Sequence, residues 1–401
     1  MNVQTNNIAL KKEIKGLIDL LIKNGSHVDS GLSIEISQEG GISLHLRRPP
    51  GSSKPLIRLK SEHIIPVAAL NTRLRGDSFE IDPDRRLLNP LQIEIGTRMI
   101  EIYNAAGKVA QHKAENPWIQ CSGTPRLLEL LLSSLHPGKA KEEKLSFIRG
   151  CQDRLSFDEF VVETFMASRT LARQAGERGG QETVIMPIAD YLDHDYRGSP
   201  YAFSSTSCSG DMGIFCSQPF VWSQECYARY GSYDAVDTFV NYGFIDREVP
   251  FVRSIPLEIE IGDRGKLLID SSVGSSNRGE NIPKPLRDIR FLLPNWKRGE
   301  SGEFMLSHIF IAAGSYPHAT KRIIRWIIEE MTRDFTDQEF VAKQTAATET
   351  KLVDANVAYY EKVLRGLDQD EKADSGLKNR IRQLLEIQLN KLFKYSISER
   401  L

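Results

Sequence analysis

Leu10, Ile14, Leu17, Ile18 and Leu21 recur at helical spacing and are followed by Gly25, which predicts an N-terminal helix with a glycine stop. The pattern then shifts to period two. "LSIEIS", "GISLHL" and "PLIRLK" read as strands, with "RRPPGSSKP" as the turn between the last two, because its prolines and glycine cannot continue a central strand. Residues 92–113, around "GTRMIEIYNAAGK", read as a hairpin-like pair. From Arg126, "RLLELLLSSLH" turns helical. A charged linker, "PGKAKEEK", leads to a second helical block in which Ser156 and Glu159 have the spacing of a capping box.

A flexible "GERGGQE" and a strand-like "TVIMPIA" follow, then short strands in "GDMGIFCSQPFVW" and "ECYARY". "IPLEIEIGDRGKLLIDSS" predicts a hairpin, since Leu257, Ile259 and Ile261 alternate before Gly262 and Gly265, and Leu267 and Ile269 resume the pattern. From about Phe304 the chain reads as helical. "ATKRIIRWIIEEMTRDF" is amphipathic, Thr336 and Glu339 suggest a capping box, and Val353, Val357, Tyr360, Leu364 and Ile381, Leu384, Leu385, Gln388 keep helical spacing. Strands and helices are segregated rather than alternating, which argues for an α+β protein and against a nucleotide-binding α/β fold.

Composition narrows the function classes. The 401 residues are 40% hydrophobic and 26% charged, with 52 basic and 53 acidic side chains. That balance gives no bulk electrostatic reason to bind nucleic acid or membranes. No apolar run approaches the roughly 18–20 residues of a membrane span, and the N-terminal segment lacks the plan of a secretory signal, so the expectation is an intracellular, cytoplasmic protein. Cys121, Cys151, Cys208, Cys216 and Cys226 show neither disulfide-framework nor zinc-cluster spacing. Cys208 and Cys216 are close enough in sequence for a local interaction.

The densest chemistry lies in "MPIADYLDHDYRGSPYAF", Met186 to Phe203, where Asp190, Asp193, His194 and Asp195 crowd together. As metal ligands they lack partners, because the remaining histidines are scattered singly. No Walker A sequence, no GxGxxG opening a helix and no convincing nucleophile elbow is present.

An ordered series is more informative. Ser168-Arg169 ends a predicted helix. Pro187, Asp190, Asp193 and His194 follow a strand-like run, and Tyr230-Gly231 and Tyr242-Gly243-Phe244 come later. This order and spacing resembles the SET-domain methyltransferases of the Rubisco lysine methyltransferase and actin-histidine methyltransferase class. There, a helix ends in Ser-Arg-Ala-Phe, and segments like Val-Pro-Met-x-Asp-x-Ile-Asn-His, Tyr-Gly and Tyr-Gly-Phe follow. The resemblance covers most of the chain and is clearest from Phe147 to Ile269.

The resemblance implies a SET-like β fold with a pseudoknot and an inserted helical segment, followed by an all-α, substrate-binding-like domain. The parts are residues 1–120 and 181–295 for the SET-like domain, 121–180 for the insert and 296–401 for the helical domain. It implies S-adenosylmethionine as cofactor and methyl transfer to a protein side-chain nitrogen, with lysine favoured over histidine. The cofactor-binding residues would be Gly40, Gly41, Ile42, Arg169, Asp193, His194 and Tyr242, with Tyr242 and Tyr230 catalytic and Asp190 structural. The reaction suits these groups. Arginine clamps a carboxylate bidentately, tyrosine and carbonyl oxygens can surround an electron-poor methyl group, and a neighbouring cation lowers an amine's pKa.

The chain departs from the pattern at two places. On the register of "EGGISLHL", Gly40 keeps the first glycine of the family's Gly-x-Gly turn, but Ile42 takes the second. Asp193 stands where the family has asparagine, and an ionised aspartate only accepts hydrogen bonds. These departures keep two alternatives open: a SET-fold enzyme for a small molecule, and a catalytically silent protein-binding module. Neither a nucleic-acid nor a membrane partner is expected.

Overall fold

The computed structural model describes residues 2–37, 40–49, 55–122, 125–133, 139–150, 155–175, 180–204, 210–216, 224–270, 273, 282–299, 303–312, 314, 316, 318–332, 337–369 and 375–398. Residues 50–54 of "RRPPGSSKP", most of "GERGGQE", Cys151, Cys208 and Thr336 lie outside them. The chain divides into two compact units, residues 1–119 with 153–231, and residues 120–152 with 232–401. No described helix is long and apolar enough to cross a membrane.

The first unit is built on small sheets. Asn2–Gln4 pairs in parallel with Leu32–Ile36, which pairs antiparallel with Ile42–Leu46, and that strand takes Gln224–Glu225 on its other edge. A second sheet joins Ala202–Phe203, Met212–Ile214, Ile57–Leu59 and His27–Val28. Gly180–Ile185 lies between Leu171–Ala175 and Ile65–Pro66. Asp193–Pro200 pairs in parallel with Tyr227–Arg229, with Asp193 opposite Tyr227. The alternating inward residues Leu32, Ile34, Leu44 and Leu46 join the buried face of the Ile8–Lys23 helix in one apolar core.

Several predicted elements stand. Asn7 caps the N-terminal helix by accepting from the Leu10 N–H, and Gly25 follows it at φ +92°. Ser156 and Glu159 form a reciprocal capping box on the Phe157–Ala167 helix. Leu257–Glu260 and Lys266–Ile269 form the expected hairpin, with Gly262 and Gly265 both at positive φ.

Four local readings are corrected. Residues 92–113 are not a hairpin: Pro90–Ala105 and Lys108–Glu115 are helices. Asn89 and Gln92 close a capping box around Pro90, and Ile95, Met99, Ile102 and Tyr103 then fall on one buried face. The linker "PGKAKEEK" instead runs into the helix Lys139–Ile148, which buries Leu145 and Ile148. The chain is not helical from Phe304. Trp296–Arg298, Phe304–Leu306 and Phe310–Ala312 are strands, because Phe304–Leu306 finds a parallel partner in the distant Lys266–Ile269. Helices begin at Ala319 and continue as Gln338–Asp368 and Ser375–Ser398, so residues 296–401 mix strand with helix. Finally, the cap of Gln338–Asp368 is Asp337, which accepts from the N–H groups of Glu339 and Phe340.

Gly40 shows why this unit needs a glycine. It sits at φ +82°, and a Cβ there would lie 2.1 Å from the Ala106 carbonyl oxygen at the end of the Pro90–Ala105 helix. Conformation and space both demand its bareness. Gly40→Ala should therefore destabilise the protein by about 1–3 kcal/mol, the usual cost of a strained backbone position, read as a lower urea midpoint.

Candidate active site

The Phe157–Ala167 helix ends at Ser168, whose hydroxyl donates to the Phe165 carbonyl, and the chain leaves through Arg169 into the strand Leu171–Ala175. This exit places the Arg169 guanidinium 4.9 Å from the Phe165 ring and 5.2 Å from the Tyr103 ring. Its Nη1 donates to Asp190 Oδ2 at 3.0 Å, and the Tyr103 hydroxyl donates to the same oxygen at 2.7 Å. The Arg169 Nε is buried with no partner among the described residues.

Asp190 is delivered by a strained turn. Ile188, fully buried, has φ +66° and ψ −43°, and the Ala189 N–H donates back to the Pro187 carbonyl at 2.8 Å. This is the positive-φ γ-turn, rare for any side chain and more so for a β-branched one. Such a conformation costs about 1–3 kcal/mol and survives only where its surroundings enforce it.

Burial pushes the Asp190 carboxyl up and Arg169 pulls it back. Burial opposes the guanidinium's charge as well, but Asp190 outweighs it and holds Arg169 protonated. Arginine keeps its proton at any working pH, so the pair is ionic and Asp190 is the partner whose charge depends on the contact. Burial, then Asp190, pushes the Tyr103 phenol well above its ordinary range, so it remains a donor.

The stretch continues into Asp193–Pro200. The buried His194 accepts from the Tyr230 N–H at its Nδ1, 3.1 Å away, and its ring lies 5.2 Å from that of Tyr230. That bond assigns the proton of the neutral imidazole to Nε2. The Tyr230 hydroxyl donates to the Leu192 carbonyl. Arg169, Asp190, Asp193, His194 and Tyr230 are thus gathered within the first unit. Among the described residues, no group of three or more His, Cys, Asp or Glu is arranged to hold a metal ion.

Asp193 retains an exposed face but is crowded by protein. That crowding and a hydrogen bond with the adjacent Glu225 push its carboxyl up to about 6. Two neighbouring carboxyls share a proton more readily than they bear two charges. Lys108 and Arg169 act the other way on Asp193. Lys108 itself is buried and donates to Gln111 Oε1 at 2.9 Å, and burial with Arg169 nearby pulls its ammonium down to about 8.

The remaining sequence-predicted residues sit on other elements, and the strand that Ile42 opens, Ile42–Leu46, touches the Ala189–Tyr191 turn and pairs with Gln224–Glu225. Gly40 packs on Ala106 and borders an open cleft of about 580 Å³ lined by Asn7, Ser37 and Gly107 among others. The Gly41 N–H donates to the Ser37 hydroxyl. Ile42 opens a strand, is buried, and needs no positive φ. Tyr242 belongs to the second unit, where its ring lies 5.7 Å from Tyr233 and 6.0 Å from Phe244. Sequence reasoning missed Tyr103, Lys108 and Glu225. The first two fall in the stretch read as a hairpin. The Asn89-Pro90-x-Gln92 helix start was the signal that reveals Tyr103.

No protein-family model and no curated protein matches the chain. Among solved structures it is similar to the SET domain of LSMT bound to lysine and AdoHcy, at 14% identity over 98% of this chain and 91% of that one, with a TM-score of 0.44. It is also similar to Rubisco LSMT bound to AdoMet, at 14% identity over 97% and 92%, with a TM-score of 0.42. At this depth of overlap, the case for a function has to come from the chain's own groups.

Two outcomes follow from the electrostatics. Asp190→Asn leaves Arg169 buried without its counter-ion and should destabilise the fold by about 3–5 kcal/mol, measured by denaturant unfolding. Asp193 behaves oppositely. Its folded pKa of about 6 lies above the ordinary 3.8, so the folded state binds that proton more tightly and stability falls as pH rises through this window. Asp193→Asn should therefore raise the melting temperature near neutral pH, with the gain shrinking toward zero as pH falls to about 4.

Proposed function

We propose that this chain is a SET-type S-adenosylmethionine-dependent methyltransferase acting on a protein side-chain nitrogen, with lysine favoured over histidine. The observation that carries the reading is the arginine at the helix exit. Arg169 is fixed by Asp190 and two aromatic rings, yet its buried Nε–H is left to spend on a ligand. A preorganised guanidinium with a spare donor is what a carboxylate needs.

The donor set fits the cofactor. Arg169 would hold its carboxylate, and Asp193 would face its ammonium and sulfonium charges. Lys108 and Glu225 sit beside them with opposite signs, so the cluster suits a zwitterion. When bound, the cofactor supplies an electrophilic methyl group on a sulfonium.

The chain's own tasks are positioning and electrostatics, which dominate an in-line displacement. Arg169 and Asp190 orient the clamp. His194 and Leu192 fix Tyr230 at both its N–H and its hydroxyl. Tyr242 is assigned the weak contacts to the transferring methyl and the orientation of the acceptor nitrogen. The SET-like pseudoknot and the substrate-binding role of the C-terminal helices belong to the same proposal. Asp193 at an asparagine position, tied to Glu225, favours a small-molecule acceptor as the second reading.

Calorimetry should detect binding of S-adenosylmethionine and of its demethylated product, and Arg169→Ala should weaken it about 10-fold or more, as loss of a charge-assisted hydrogen bond does. No binding of either at millimolar concentration sinks the proposal. With tritiated cofactor and a cell lysate, a labelled protein band lost in Tyr242→Phe supports the protein-substrate reading. Binding without any band supports the small-molecule one.

A further inference from the structure

The last helix, Ser375–Ser398, grips the short helix that carries Tyr242 at both ends. Ala235–Tyr242 starts at Asp234, whose side chain caps the Asp237 N–H, and ends at Gly243 in the left-handed conformation, φ +85° and ψ +3°. Gln388 donates to Asp234 Oδ2 at 2.7 Å, and Arg380 Nη2 donates to the Gly243 carbonyl. Positions 380 and 388 are as far apart in sequence as the tyrosine helix is long, eight residues or about 12 Å. The earlier contact meets the C-terminal end and the later one the N-terminal end, so the two helices run antiparallel in register.

Arg380 is the more specific of the two grips. Its Nη1 donates to Gln120 at 3.1 Å, and its guanidinium lies 5.2 Å from the Phe239 ring, one turn before Tyr242. The Gly243 N–H already donates to the Phe239 carbonyl at 2.9 Å. With Arg380 on its carbonyl, both polar groups of Gly243 are fixed. The backbone leaving Tyr242 then has one conformation, and the tyrosine ring is held between Tyr233 and Phe244.

We infer that Arg380 is a positioning residue for Tyr242, acting through the Gly243 carbonyl, and that the last helix is a splint for the tyrosine. The catalytic consequence rests on the methyl-transfer reading of Tyr242; the positioning itself does not. A lysine in place of Arg380 reaches the carbonyl as a point charge but loses the planar fork that also engages Gln120 and Phe239.

The test labels the full chain with 3-fluorotyrosine and reads the fluorine NMR spectrum. Tyr242→Phe and Tyr103→Phe identify the two lines needed. In Arg380→Ala, and in the milder Arg380→Gln should the first not fold, the Tyr242 line should shift or broaden while the Tyr103 line stays. With tritiated S-adenosylmethionine, turnover on lysate protein should fall about 100-fold in Arg380→Ala, the cost of displacing a reacting group by roughly 1 Å, and recover in part in Arg380→Lys. Cofactor affinity by calorimetry should fall far less than turnover, because Tyr242 offers the cofactor only weak contacts. A Tyr242 line unmoved in both variants overturns the inference, as does movement of both lines together. A wild-type protein that binds no cofactor would instead reject the methyl-transfer reading, and the fluorine lines would still decide the splint.

Discussion

A guanidinium held against one carboxylate, with a phenol on the same oxygen, joins three segments of the first unit. Arg169 comes from the exit of one helix, Asp190 from a tight turn, and Tyr103 from the buried face of another helix. Neither charge would be tolerated there alone. The Arg169 side chain is 22% exposed and that of Asp190 4%, so removing either partner leaves an uncompensated charge in poor solvent. The strained Ile188 turn makes sense beside this pair. Aiming Asp190 at Arg169 requires a reversal within three residues, and the packing around a fully buried Ile188 sustains it.

Electrostatic tension spreads outward from that pair. Lys108 is pulled toward neutrality by burial and by Arg169, while Asp193 is pushed toward protonation by crowding and by Glu225. Each is the other's natural remedy. A site tuned this way is close to a change of charge state near neutral pH, and a ligand bearing both signs would settle it.

What the sequence made legible was mostly local. The Ser156–Glu159 capping box, the glycine-framed hairpin at 257–269 and the N-terminal helix each depend on residues within one or two turns of each other. The Arg169–Asp190–Tyr230 grouping was also approached from sequence, because ordered short motifs encode it. The failures have a common cause. "LQIEIG" and "RMIEIYN" alternate like strands, and only the Asn89-Pro90-x-Gln92 start reveals the helix. Phe304–Leu306 and Phe310–Ala312 were lost because their partners, Lys266–Ile269 and Phe251–Arg253, lie tens of residues away. Tyr103, Lys108 and Glu225 carry no motif; three-dimensional proximity alone makes them part of the site.

The two units interleave along the chain, and that has a consequence for synthesis. The strand Ile42–Leu46 waits for Gln224–Glu225, and Ile57–Leu59 waits for Met212–Ile214. The excursion through residues 120–152 waits longer still, since the Leu131 carbonyl receives its hydrogen bond from Tyr359. On the ribosome, these strands therefore keep unpaired edges until partners far along the chain have been made. Pairings of such long sequence separation close slowly and expose strand edges meanwhile. The nascent chain is the form of this protein most in need of a chaperone, and overproduction should reward slow translation and low temperature.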